Sequence, residues 1–163
     1  MITHSPPLIK PKRLEPGQTI GVVAPAYTVG EDDRIRAGVE TVESLGFRVK
    51  PGQHLFRRHG YFAGTDQERA ADLNAMFADP DVAGIICLRG GYGASRTLPY
   101  LDFDLIRRNP KPLIGYSDIT TLLNPIQRLT GLVTFHGPIA DQVYTPYTLA
   151  QFWKVVQTPE TPT

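Results

Sequence analysis

Residues Ala83-Gly84-Ile85-Ile86-Cys87-Leu88 carry no polar side chain. A strand of that composition can show neither face to water, so its sheet must be covered on both sides, as parallel strands in α/β domains are. The rest of the chain repeats the theme. Thr19–Ala24 is a short β-branched run ended by Pro25, Phe47-Arg48-Val49 begins a second strand, and Pro112–Ile114 and Leu132–Phe135 read as the fourth and fifth. Helical patterns lie between them. Asp32 and Asp33 open a helix with Ile35, Val39, Val42 and Leu45 at helical spacing and Gly46 as its stop. Thr65 and Glu68 form a capping box before Ala70, Leu73, Met76 and Phe77, and Asp79-Pro80 ends that helix. Pro51–Gly64 reads as a surface loop, Ser95–Asn109 as one or two short helices, and Asp118–Leu129 as a helix closed by Gly131. The alternation predicts an α/β fold: an open, mainly parallel sheet with helices on both faces.

The 163 residues suit one such domain at 17–145, with a proline- and lysine-rich arm at 1–16 and a helix plus Pro/Thr-rich tail at 146–163. Seventeen basic and sixteen acidic residues nearly cancel, and no basic stripe interrupts them, which argues against nucleic acid as a partner. The sequence shows no secretory h-region and no bilayer-length apolar run, so no membrane partner is expected and a cytoplasmic location is. Cys87 is the sole cysteine, which rules out an internal disulfide and a multi-cysteine metal site. No metal-ligand spacing is present, and Gly91 and Gly93 fall short of a dinucleotide fingerprint because the third glycine position is Arg96. No cofactor is expected.

Chemistry concentrates in two turns that follow strands, where open parallel sheets bind ligands. One is Arg89-Gly90-Gly91-Tyr92-Gly93 and the other is Gly115-Tyr116-Ser117-Asp118. Strand, Gly-x-Ser and helix in that order make a partial nucleophile elbow, with Ile119 where a second glycine usually stands. Ser117 is then either an exposed nucleophile or, with Asp118, simply a helix N-cap. In the first case the backbone N–H groups of Asp118 and Gly91 are candidates for an oxyanion hole; in the second the glycines only make a tight turn. A base is not evident. His4, His54 and His59 lie in the arm and the loop, while His136 and Asp141 follow the fifth strand and make a Ser117–His136–Asp141 set conceivable. An anion-binding module with no catalytic role is a further alternative.

Five ordered blocks sharpen this. V-V-A-P-A (22–26), G-Y-F-A-G-T-D-Q-E-R-A-A-D-L-N (60–74), R-G-G-Y-G (89–93), N-P-K-P-L-I-G-Y-S-D-I-T (109–120) and T-F-H-G-P (134–138) closely resemble the LD-carboxypeptidase family of serine peptidases. That family includes murein tetrapeptide carboxypeptidases and microcin C immunity peptidases. The resemblance implies a Rossmann-like N-terminal domain, Ser117 as nucleophile, and Gly91 and Asp118 as oxyanion donors. It also implies a murein peptide substrate bordered by Arg89, Gly90, Tyr92 and Tyr116, cleaved before its terminal D-alanine. In the family a C-terminal domain supplies the glutamate and histidine of the triad, so His136 is not expected to be the base. The sequence ends before such a domain, so this chain alone is expected to be inactive. The surface around Ser117, Tyr92 and Tyr116 is expected to be exposed and to favour homodimers or other self-association.

Overall fold

The computed structural model describes residues 6–157; His4 and the end of the Pro/Thr-rich tail fall outside that range. Five strands, β1 (Thr19–Val23), β2 (Arg48–Pro51), β3 (Val82–Cys87), β4 (Leu113–Gly115) and β5 (Phe135–His136), form one sheet in the order β2-β1-β3-β4-β5. Every pairing is parallel. The order reverses between β1 and β3, which makes the carboxyl ends of those two strands the switch point where the loops diverge and a crevice opens.

Five α-helices, α1 (Asp32–Ser44), α2 (Asp66–Ala78), α3 (Phe103–Arg108), α4 (Thr120–Thr130) and α5 (Pro146–Gln157), cover both faces. Strand alternation sorts the core into two clusters. Val23, Ile85, Cys87 and Leu113 pack with Leu73, Met76 and Phe77 of α2, Ile106 of α3 and Leu122 and Ile126 of α4. Ile20, Val22, Ile86, Leu88 and Ile114 face Ile35 and Val42 of α1 and Phe152 and Val156 of α5. Gly21 allows the close approach of α2, since a Cβ there would stand 2.7 Å from Met76 Sδ.

The anticipated capping box is present: Thr65 N–H donates to Glu68 Oε2 at 2.8 Å and Glu68 N–H to Thr65 Oγ1 at 3.2 Å. The segment expected as a strand at Leu132–Phe135 is different. Only Phe135–His136 pairs with β4, while Leu132 bridges to Ile9. The cause is the N-terminal segment, which inserts beside Leu132: Ile9 N–H donates to Gly131 O at 2.7 Å and Val133 N–H to Ile9 O at 2.9 Å. Leu14 is fully buried, with its N–H on Val156 O at 2.9 Å. The helix expected from Asp118 is also modified, beginning as a 3₁₀ turn at Ser117–Ile119 before α4.

At the start of α2, Asp66 is paired with both Arg69 and Arg96. The hydrogen bond from Arg96 leads in holding its carboxyl below the ordinary value of 3.8, the charges of Arg69 and Arg96 adding to it. With the folded pKa below the unfolded one, ionised Asp66 stabilises the fold above about pH 4. That contribution is lost as pH falls through the folded pKa. Chemical denaturation across the acid range should therefore show Asp66→Asn less stable than the parent near neutrality and less steeply destabilised below about pH 4.

Candidate active site

Ser117 has φ 60° and is the one non-glycine residue with positive φ among the described residues. A serine pays roughly 1–3 kcal/mol for that conformation, which neighbouring structure must impose. β4 runs to Gly115 and passes directly into the 3₁₀ turn. A Cβ on Gly115 would lie 2.7 Å from Ile119 Cγ2, so the glycine lets Ile119 fold back against the strand end. Ile119, which takes the place of the second elbow glycine, is fully buried and anchors the turn from below. Gly115→Ala is expected to destabilise the domain by about 1–3 kcal/mol through this overlap. Adding Ile119→Ala should recover part of the loss that Gly115→Ala causes relative to a Gly115 background, measured as a double-mutant cycle in urea.

Ser117 is exposed, and among the described residues its hydroxyl caps no helix. Asp118 is not a side-chain cap either. Its Oδ2 accepts the Ala94 N–H at 2.8 Å and so ties the serine turn to the end of the glycine loop. On the other side, Gly90 is buried against the serine: a Cβ there would be 2.9 Å from Ser117 Cβ and 3.2 Å from its Oγ. Gly91 has φ +114° and leaves no room for a side chain against Tyr27, whose Cβ would be 2.6 Å away. The Gly91 N–H makes no hydrogen bond within the described residues. That of Asp118 lies in the first turn of a helix, where the helix itself consumes no donor.

A cleft of about 290 Å³ opens here, lined by Ser117, Tyr116, Gly90, Gly91, Arg89, Ile139 and the Arg34–Asp141 pair. Asp141 reaches it because Ala140 N–H donates to Cys87 O at 3.0 Å and Asp141 N–H to Leu88 O at 2.8 Å, docking this segment on the end of β3. Arg34 grips the Asp141 carboxylate with Nε and Nη2 at 3.0 and 2.9 Å. Arg89 lies over the Tyr27 ring, 5.2 Å from its centroid, with Nη1 3.8 Å from Asp141 Oδ2. Tyr92 stands exposed at the rim, its ring 6.3 Å from that of Phe62.

The structure thus gathers Ser117, Gly90, Gly91, Arg89, Tyr116 and Asp118 in one place, with Tyr92 beside them. It does not assemble Ser117, His136 and Asp141 into a triad. No hydrogen bond among the described residues joins His136 to Ser117 or to Asp141; its ring meets the edge of Tyr116 at 6.1 Å, and Asp141 is spent on Arg34. His54 bonds Asp72 through Nδ1 at 2.8 Å in the loop after β2. Two functional supports escaped the sequence reading. Arg34 carries no local signal, because its partner Asp141 lies 107 positions away. Arg69 is fully buried, with Nη1 bonded to the carbonyls of Pro25 and Gly93, Nη2 paired with Asp66, and its guanidinium 4.5 Å from the Phe62 centroid. Its spacing from Leu73 and Met76 already put it on the apolar stripe of α2, the signal that an arginine there has a specific task.

A family model described as the LD-carboxypeptidase N-terminal domain matches residues 20–137. The chain is 44% identical over 157 residues to a Bacillus subtilis protein named "Probable murein peptide carboxypeptidase", covering 93% of this chain and 49% of the relative. It is 39% identical over 122 residues to the murein tetrapeptide carboxypeptidase of Pseudomonas aeruginosa, covering 74% and 39%. The crystal structure of an MccF-like protein from Bacillus anthracis superposes with a TM-score of 0.84 at 35% identity, over 91% of this chain and 47% of that one. The chain spans about half the length, or less, of these relatives. With matching blocks, a matching fold and a serine turn at the sheet's carboxyl edge, the chain belongs to the LD-carboxypeptidase family, whose N-terminal domain it carries.

Proposed function

We propose that Ser117 is the nucleophile of a serine LD-carboxypeptidase that releases the terminal D-alanine of murein tetrapeptides in the cytoplasm. The observation that carries this is the left-handed backbone of Ser117 at a strand-to-helix turn, with the residue exposed and its hydroxyl making no hydrogen bond among the described residues. Strain of that kind persists where surrounding structure enforces it, and a capping serine would not need it. In the reaction Oγ attacks the scissile carbonyl as its proton passes to a base. The oxyanion is met by the N–H groups of Gly91 and Asp118. Collapse of the adduct expels D-alanine, whose nitrogen takes the proton, and water then hydrolyses the Ser117 ester. Arg89, Gly90, Tyr92 and Tyr116 border the bound peptide.

The base is supplied by a second half of the kind the relatives' greater length accommodates, and this chain alone is inactive. Among the described residues no helix is long and apolar enough to cross a membrane. Tyr61, Tyr92 and Tyr116 are exposed by 70%, 66% and 36% around the cleft, an aromatic rim suited to being covered. The second half covers it in the complete enzyme, and the isolated chain self-associates through it, to be checked by light scattering.

The test is D-alanine release from murein tetrapeptide by this chain alone and by the chain joined to the C-terminal half of the Bacillus subtilis relative. Release by the joined protein only is expected. Turnover by this chain alone, abolished by His136→Ala, would establish the self-contained triad instead. No release by a folded joined protein would overturn the assignment.

A further inference from the structure

The cleft beside Ser117 contains two arginines in different states. Arg34 has both donors of its fork on Asp141, at 3.0 and 2.9 Å. Arg89 makes no hydrogen bond among the described residues; its one ionic contact is a single long approach of 3.8 Å to the same carboxylate. Since Arg34 already answers the charge of Asp141, the cleft wall keeps one unanswered positive charge, on Arg89. That side chain is 30% exposed and lies over the ring of Tyr27. Tyr27 is itself fixed, wedged against Gly91 so closely that a side chain at Gly91 would overlap it. Arg89 is therefore held in place with planar, bidentate donor edges left unpaired, a state that suits a carboxylate.

We propose that Arg89 receives the free α-carboxylate of the residue to be released. The inference rests on Ser117 being the nucleophile and adds which part of the substrate the cleft recognises. In a peptide, the terminal carboxylate lies about one residue length, ~3.8 Å, beyond the scissile carbonyl. A site cutting only the last bond must bind that carboxylate in the same small space as the nucleophile, and Arg89 and Ser117 share the cleft of about 290 Å³. An internal bond presents a neutral amide at that point and would leave the arginine unpaired. Rejection of groups that leave a site's charged donors without partners is a strong source of specificity. Arg89 thus separates removal of a terminal residue from internal cleavage.

The probes are N-acetyl-D-alanine and its C-terminal amide, titrated into this chain and followed by NMR at the Arg89 Nε–H and the amides of Gly90 and Gly91. The carboxylate form is expected to give saturable shifts with a millimolar-order Kd, and the amide at least about tenfold weaker binding. Arg89→Gln should weaken the carboxylate form about tenfold or more and leave the amide form unchanged, while Arg89→Lys retains part of the affinity without the fork. Equal binding of the two probes would overturn the proposal, as would no saturable shift, or Arg89→Gln binding like the parent with distant amides unmoved. Because the readout is binding, it stands apart from catalysis. A failure of Ser117 as nucleophile shows in D-alanine release and leaves these titrations intact.

Discussion

Ser117→Ala, in the chain joined to a C-terminal half, is expected to lower kcat/KM for D-alanine release by about 10⁴-fold or more. The size follows from the kind of contribution lost. On the proposed mechanism no acyl-enzyme forms without Oγ, and what remains is the carbonyl polarisation proposed for the Gly91 and Asp118 N–H groups, acting on attack by water. Ser117→Gly separates this loss from damage to the fold. At φ 60° a glycine has no Cβ to strain, so this variant should match the parent in stability or exceed it by up to about 1 kcal/mol, while its activity falls as far as that of Ser117→Ala. A residue kept only for structure gives the opposite pattern. Activity within tenfold of the parent in either variant would remove Ser117 from the chemistry.

The largest effect on stability is expected at Arg69. Its guanidinium joins three segments that are far apart in sequence: the loop after β1 through Pro25 O, the glycine loop through Gly93 O, and the first turn of α2 through Asp66. Burial pulls its pKa below the ordinary arginine value, and Asp66 pulls it back up. Arg69→Ala removes the packing on Phe62 and leaves the Pro25 and Gly93 carbonyls without this donor. Asp66 keeps Arg96, so no carboxylate is stranded. A loss of about 3 kcal/mol is expected, between that of a single hydrogen bond and that of a broken buried ion pair. Urea denaturation should show it as a lower midpoint at unchanged slope. A change under about 1 kcal/mol would mean that the loops hold each other without the arginine.

Much of this was legible in the sequence because the signals were local. Thr65 and Glu68, Gly46 and Gly131 mark helix ends by chemistry that needs only near neighbours. The polar-free run at Ala83–Leu88 fixes a covered parallel strand without reference to anything else. The serine turn was legible for the same reason, since Gly115, Ser117 and the following helix are contiguous. What escaped is what distant segments decide. Leu132–Phe135 has the composition of a strand, yet Ile9 takes Leu132, and only Phe135–His136 remains for β4. Arg34 and Asp141 are 107 positions apart, and no local pattern could join them across the mouth of the cleft. Asp141 illustrates the difference best. Its closeness in sequence to His136 suggested a triad member, but its docking on the end of β3 turns it toward an arginine.

Cys87 has a practical consequence. It lies on the central strand β3, has no exposed surface, and burial pushes its thiol up to about 12. Its carbonyl is also latched by Ala140 N–H at 3.0 Å. A thiol reagent therefore has one possible target in the whole sequence, and that target is shut until the centre of the sheet opens. At saturating reagent the labelling rate becomes the opening rate of that centre, and at limiting reagent it reports the opening equilibrium. Mass spectrometry of the untagged chain would then time the breathing of its core. A second cysteine placed on the surface would label on a separate, much faster clock.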